Sequence, residues 1–205
     1  MVKIIGICGS PRNAATEYAL KQALEAAEEV EGVETRFFSL MGRKLNFCIH
    51  CDQCVKQEAN KCVIHNDDMD ELYEPFYQAD GYIIASPVYE MGVTGQLATF
   101  FNRFRPTYIL LKQNPEYFST KVGGAIAVGG TRNGGQECAI NNILGFYHTQ
   151  GILVVNGGLG VYHGASLRSR DQKAQGAKDD LTGIQNARVI GKKVAKTAVL
   201  IKKGI

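Results

Sequence analysis

The chain has 205 residues, of which 45% are hydrophobic and 21% charged, and a net charge of +3. These values suit a single globular domain over residues 1–205 and argue against disorder. The charge is too small for a dedicated nucleic-acid binder, and no apolar run approaches the ~18 residues that span a bilayer, so neither nucleic acid nor membrane is an expected partner. The N-terminus, Met1 to Gly6, lacks the long apolar stretch of a secretory leader, which makes the cytoplasm the expected compartment.

In chain order, Val2 to Cys8 reads as a nearly continuous apolar strand. After a turn at Gly9-Ser10-Pro11, apolar residues at Ala19/Leu20, Ala23/Leu24, Ala27 and Val30 predict a helix whose wet face carries Glu25, Glu28 and Glu29. Val33 to Leu40 reads as a second strand, Asp67 to Tyr77 as a helix with an acidic start, and Gly81 to Ser86 as a third strand. Gln96 to Phe104 is a further helix, and Tyr108 to Leu111, between Pro106 and Pro115, reads as an apolar loop. Val122 to Val128 is a fourth strand, Glu137 to Gln150 a helix, and Ile152 to Asn156 a fifth strand. A last helix places Leu181, Ile184, Ala187, Ile190, Val194, Ala198 and Ile201 on one stripe. Buried strands alternating with helices predict a doubly wound α/β fold, a five-stranded parallel sheet with helices on both faces. Ligands bind such folds beyond the carboxyl ends of the strands.

The loops at that end are chemically distinct. After strand one, Ser10, Asn13 and Thr16 offer hydrogen-bonding side chains, Arg12 offers charge, and the helix start offers free N–H groups, a set that suits a phosphate. Neither a Gly-Lys-Ser/Thr loop nor Gly-x-Gly-x-x-Gly occurs there. After strand three, Ser86-Pro87-Val88-Tyr89 is stiffened by its proline and could border a flat aromatic ring. After strand four, Gly129-Gly130-Thr131-Arg132-Asn133-Gly134-Gly135 could bring backbone close to a ligand. Gly157-Gly158-Leu159-Gly160 is a weaker rim.

Gly9-Ser10-Pro11-Arg12 with Thr16, then Ser86-Pro87-Val88-Tyr89 and Gly95-Gln96-Leu97, resemble the NADPH-dependent FMN reductase superfamily with its flavodoxin-like fold. The resemblance implies that Ser10, Arg12 and Thr16, with Asn13 beside them, hold the FMN phosphate. It also implies that Pro87, Val88 and Tyr89 border the isoalloxazine ring and that Gly129, Gly130 and Thr131 approach it from another side. The chain departs from many relatives at Ala98 and Asn102, where Lys and Asp are usual.

Four of the six cysteines fall at Cys48-x2-Cys51-x2-Cys54-x7-Cys62, in a loop at about residues 44–65 inserted after strand two. Cysteines at two-residue intervals allow a short loop to wrap a [4Fe–4S] cubane, with a fourth thiolate completing the set. Zinc, which prefers two separated pairs, and free or disulfide-bonded thiols are the alternatives. His50 lies between two of the cysteines and reads as a bystander; His65, His148 and His163 lack ligand spacing, and Cys8 and Cys138 read as core residues. The cysteine motif narrows the resemblance to the iron–sulfur flavoproteins. That resemblance implies a homo-oligomer, dimer or tetramer, with the cluster of one subunit near the FMN of another. It further implies a ferredoxin-like electron donor and a small-molecule acceptor such as oxygen, peroxide or a quinone. The expected function is an FMN-dependent oxidoreductase whose chemistry is carried by the cofactors, with no catalytic side chain. A non-catalytic electron carrier and an NAD(P)H-dependent FMN reductase with structural zinc stand as alternatives.

Overall fold

In the computed structural model, which describes residues 1–204, fourteen elements follow one another. The first half comprises β1 (Val2–Cys8), α1 (Ala15–Glu28), β2 (Val33–Ser39), α2 (Gln53–Lys56), α3 (Asp70–Gln78), β3 (Gly81–Pro87) and α4 (Gly95–Asn102). The second comprises α5 (Thr107–Gln113), β4 (Val122–Gly129), α6 (Gln136–Gln150), β5 (Leu153–Val154), β6 (Ala165–Arg168), α7 (Lys173–Lys178) and α8 (Leu181–Lys202). All strands pair in parallel in the order β2-β1-β3-β4-β5, with β6 also on β4. The order reverses between β1 and β3, the place where an open α/β sheet forms its crevice.

The apolar strands are buried on both faces, and period-2 alternation divides their side chains between two cores. Ile4, Ile83 and Ile126 join Leu20 of α1 and Ile190 and Val194 of α8 on one face. Ile5, Ile7, Tyr82 and Ile84 join Phe76, Phe100, Phe146 and Tyr147 on the other. This second core is dominated by aromatic rings, including stacked Phe76–Tyr82 at 4.4 Å between centroids.

Several expectations need correction. The fifth ladder position holds two strands rather than one: β4 pairs with β5 at Val122 and Gly123, and with β6 from Ile126 to Gly129. Between them the chain leaves the sheet through a turn with left-handed glycines at 158 and 160 (φ 89° and 78°) and then returns to the same edge. Residues 107–113 form a helix, not a loop. Pro106 supplies helical backbone angles at its start, and Pro115 follows its end. Ile109 is buried in the chain's own core and Leu110 and Leu111 pack against it, leaving Tyr108 the one exposed residue of the apolar run 108–111, at 49%. Cys8 is buried as expected, but Cys138 is exposed, because Ala139, Ile140 and Ile143 take the inward face of α6. Leu181, at the first residue of α8, is likewise 78% exposed. Among the described residues no helix is long and apolar enough to cross a membrane.

The close approach of α1 and α8 depends on Gly191, where an added Cβ would stand 1.9 Å from the Ala23 carbonyl oxygen. Helix propensity alone would favour alanine there by about 1 kcal/mol. The backbone clash outweighs that gain, so Gly191→Ala is expected to destabilise the fold by about 1–3 kcal/mol, as overpacking does. The check is the urea midpoint at constant m-value; an unchanged or higher midpoint would show that the two helices separate freely.

Candidate functional site

The loop after β1 is closed by its own polar groups. Gly9 N–H donates to the Ala85 carbonyl at 2.8 Å, and Thr94 Oγ1 donates to the Gly9 carbonyl at 2.7 Å. Ser10 Oγ donates to the Arg12 carbonyl at 2.7 Å and accepts from the Arg12 N–H at 3.1 Å, a side-chain turn that sets the direction of the arginine. α1 then begins with no side-chain cap, so the amides of its first turn are available to an anion.

The loop after β3 lies alongside. Ser86 Oγ donates to the Pro87 carbonyl at 2.8 Å and accepts from Thr94 N–H at 3.3 Å. The Thr94 hydroxyl also accepts from Leu97 N–H at 3.1 Å and so caps α4. Tyr89 and Gly92 exchange backbone hydrogen bonds of 3.0 and 2.8 Å around a turn whose central residues, Glu90 and Met91, are both left-handed (φ 47° and 64°). Such conformations cost non-glycine residues about 1–2 kcal/mol each and persist only where neighbours enforce them. Here Val88 N–H is held by the Val128 carbonyl at 2.9 Å, and Met91 packs where a Cβ on Gly135 would be.

Ser10, Arg12, Thr16, Pro87, Val88, Tyr89 and Gly130 line one cleft. Asn13, Gly129 and Thr131 stand outside its lining. The glycine-rich loop is occupied by the chain itself: buried Gln136 donates to the carbonyls of Thr131 and Leu167 at 2.6 and 3.0 Å, and a Cβ on Gly129 would meet its amide at 2.6 Å. Ser169, Asp171 and Lys173 complete the cleft, from a segment that sequence reasoning passed over. β6 carries them there, with Ser169 and Arg170 N–H groups donating to Gly129 and Gly130 at 2.8 and 3.0 Å. Arg12 and Lys173 thus place two cations, against the single carboxylate of Asp171, around uncapped helical amides, and this set fits a phosphate.

A second cavity lies in the loop between β2 and α3. Cys48, Cys51, Cys54 and Cys62 all line it. Left-handed residues at His50 and Asp52 (φ 54° and 55°) turn the chain between the first three cysteines. Burial pushes the Cys54 thiol up, and the nearby Cys62 and Cys48 sulfurs push the same way. His50 is not part of this lining, whereas His65, read from the sequence as a scattered histidine, is part of it. So is Arg103, which carried no motif signal. Its Nη1 donates to the Asn46 carbonyl at 2.8 Å and to Asp67 Oδ2 at 2.6 Å. Burial alone would raise the Asp67 carboxyl, but hydrogen bonds from Arg103 and Asn46 overcome it and hold the pKa at about 2. Among the described residues, no three His, Cys, Asp or Glu side chains converge on one point as ligands of a single ion; the cysteines surround a shared space instead. Four sulfurs around one cavity, whose lining residues Arg103 and His65 carry unpartnered buried nitrogens, fit a multi-iron cluster.

Residues 2–165 match the family model described as NADPH-dependent FMN reductase. An iron–sulfur flavoprotein of Methanocaldococcus jannaschii is 44% identical over 185 residues, 90% of each chain. An iron–sulfur flavoprotein of Archaeoglobus fulgidus is 45% identical over 194 residues, 94% of this chain and 95% of the other. Among solved structures, a flavodoxin, WrbA-like protein from Agrobacterium tumefaciens superposes with a TM-score of 0.67 at 16% identity, covering 98% of this chain and 99% of that one, a likeness of fold.

Thr94 serves both the loop after β1 and the start of α4, so its hydroxyl is expected to matter beyond a usual cap. Thr94→Ala removes a cap worth about 1 kcal/mol and leaves the buried Gly9 carbonyl short of a donor, for a combined loss of about 1.5–3 kcal/mol. Thr94→Ser keeps both bonds and should lose only about 0.8 kcal/mol, the contribution of one buried methyl group. Denaturant midpoints of the two variants give the comparison; equal losses would assign the effect to the methyl.

Proposed function

The chain belongs to the NADPH-dependent FMN reductase family and, within it, to the iron–sulfur flavoproteins, FMN-dependent oxidoreductases. From that premise we propose that it takes single electrons from a ferredoxin-like donor at a [4Fe–4S] cluster and passes them through FMN to a small acceptor such as oxygen, peroxide or a quinone. The observation that carries this reading is the presence of two differently equipped cavities in one chain. One is ringed by four cysteines and the other is lined by cations, helical amides and a proline-stiffened loop. When bound, FMN exchanges one or two electrons and the cluster one at a time, so together they convert single-electron into two-electron chemistry.

The side chains act by holding and orienting. Arg12, Lys173, Ser10, Thr16 and the first amides of α1 would bind the phosphate. Pro87, Val88 and Tyr89, held by the Glu90–Met91 turn, would present a rigid edge to the ring. Cys48, Cys51, Cys54 and Cys62 would hold the cluster through their thiolates. Phe47, Ile49 and Ile64 are exposed apolar side chains on the cysteine loop, which supports a homo-oligomer in which this loop covers part of a neighbouring subunit. No side chain is assigned a proton-transfer or nucleophilic role.

Arg12→Ala tests the phosphate assignment. A hydrogen bond to a charged group contributes about 1.5–3 kcal/mol, and exposure of Arg12 puts the effect at the low end. FMN affinity should fall about tenfold by fluorescence titration, with riboflavin affinity unchanged; equal losses for both would make Arg12 structural.

Cys51→Ser tests the relay. The parent, purified without oxygen, should contain about four irons and four sulfides per chain, and the variant should lose them while keeping FMN. Dithionite or light should still reduce the variant's flavin, whereas reduced ferredoxin should do so orders of magnitude more slowly in stopped flow. Equal ferredoxin-driven rates with and without the cluster would refute the relay, and zinc without sulfide in the parent would refute the cluster. Multiple turnovers of oxygen, peroxide or quinone per protein separate an enzyme from a carrier.

A further inference from the structure

Arg103 is the largest fully buried side chain among the described residues, with 1% of its side chain exposed. A guanidinium has five N–H donors and no acceptor, and it keeps its charge at any pH a protein survives. One nitrogen of Arg103, Nη1, is used twice, on the Asn46 carbonyl and on Asp67. The other two, Nε and Nη2, have no partner. Buried donors are nearly always paired, so each exception calls for an explanation. Five buried side-chain polar atoms among the described residues lack a partner, and three of the five belong to Arg103 and His65, both of which line the cysteine cavity. Unpartnered buried nitrogens are therefore concentrated in residues that line the four-sulfur cavity.

We propose that Arg103 donates hydrogen bonds from Nε and Nη2 to the sulfurs of the bound iron–sulfur cluster and thereby raises its reduction potential, with Asp67 holding the guanidinium in place and moderating its charge. This rests on the cluster reading given above. A cluster bound by four thiolates is anionic, and one-electron reduction adds a further negative charge spread over iron and sulfur. N–H donors on sulfur stabilise the more negative, reduced state more than the oxidised one, which is how the outer groups of such sites set their potential. The Asp67 carboxylate acts in the opposite sense. It lies 2.6 Å from Nη1 with 3% of its side chain exposed, so the cluster faces a nearly neutral pair whose hydrogen bonds are oriented rather than a bare cation. The proton inventory is simple: no bond is made or broken, the guanidinium stays protonated, and one electron arrives from the external donor.

Two substitutions give opposite expectations. Arg103→Lys retains a cation for Asp67 but cannot present the two remaining guanidinium nitrogens. Its one-electron reduction constant should fall at least tenfold, equivalent to about 59 mV toward more negative potential. Asp67→Asn leaves the donors and removes the opposing charge, so its constant should rise by a similar factor. Both are measured by redox titration of the anaerobic protein with EPR detection of the reduced cluster, alongside iron and sulfide content. Electron–nuclear double resonance should detect exchangeable protons coupled to the reduced parent cluster, and these couplings should weaken in Arg103→Lys. Opposite shifts with full iron and sulfide support the proposal. Unmoved potentials, or shifts of the same sign in both variants, overturn it and leave Arg103 a structural residue, while the cluster reading stands on the parent's iron and sulfide. If Arg103→Lys does not load a cluster, the sign of the Asp67→Asn shift decides alone. A parent without iron and sulfide overturns both readings together.

Discussion

One buried carboxylate closes the base of the cysteine loop. Asp67 accepts from the Asn46 N–H at 2.8 Å, from Asn46 Nδ2 at 3.0 Å and from Arg103 Nη1 at 2.6 Å. Asn46 and Asp67 flank the segment that holds all four cavity cysteines, so this single group brings its two ends together. The flanking residues extend the closure: Lys44 N–H donates to Asp68 Oδ2 at 2.7 Å, and Arg43 Nη1 pairs with Glu71 at 2.8 Å. These bonds differ in weight. Arg43–Glu71 lies largely in solvent, where ion pairs contribute about 0–1 kcal/mol. Removing one partner from a fully buried pair such as Asp67–Arg103 costs about 3–5 kcal/mol, because it strands the other charge. That pair is the strongest of the bonds at the base of the loop.

The same short helix serves both cavities. Thr94, its cap, binds the Gly9 carbonyl of the loop after β1. Gln96 Nε2, in its first turn, donates to the carbonyls of Leu40 and Arg43, where the cysteine loop leaves β2. Arg103, just past its end, holds Asn46 and Asp67. With eight residues at 1.5 Å rise, α4 is about 12 Å long, so three anchors for two loops fall within one rigid segment. Its buried face, Leu97 and Phe100, packs into the aromatic core against Phe76 and Phe146. The placement of both loops is thereby tied to the packing of that core rather than to the loops' own sequences.

This arrangement explains what was legible in the sequence and what was not. The first four strands and the long helices follow from local periodicity, because each buries a face or a stripe of its own residues. Ser10, Arg12, Thr16 and Pro87–Tyr89 follow from topology, since the loops after β1 and β3 flank the point where strand order reverses. The cysteines follow from spacing. Ser169, Asp171 and Lys173 reach the cleft only because β6 rejoins the β4 edge after a ten-residue excursion, and no local pattern encodes that return. Left-handed backbone at Arg170, Asp171 and Lys173 is equally invisible in residues that are not glycine. Arg103 sits in an aromatic run, Phe100-Phe101-Asn102-Arg103-Phe104, where a lone arginine reads as an interruption of a core stripe. Only the long-range pairing with Asp67 shows that it is buried with a purpose.

Both cavities present N–H donors that the protein itself leaves without acceptors. α1 begins without a side-chain cap, and Arg103 is buried with unused donors, so each cavity carries a local deficit of acceptors. A negatively charged occupant corrects the deficit in each case, a phosphate for the helix amides and anionic sulfur for the guanidinium. Occupancy and stability are then linked, because a ligand that binds only the folded state stabilises it in proportion to its saturation. The linkage is uneven. The β1 loop is backed by the sheet and by Thr94, and it retains these supports when its ligand leaves. The cysteine loop has one four-residue helix, α2, a hydrogen-bonded base and two ties from the body of the chain, Tyr77 to the Asn60 carbonyl and Arg105 to Asp52, so a group held by its four sulfurs would add order where regular structure is short.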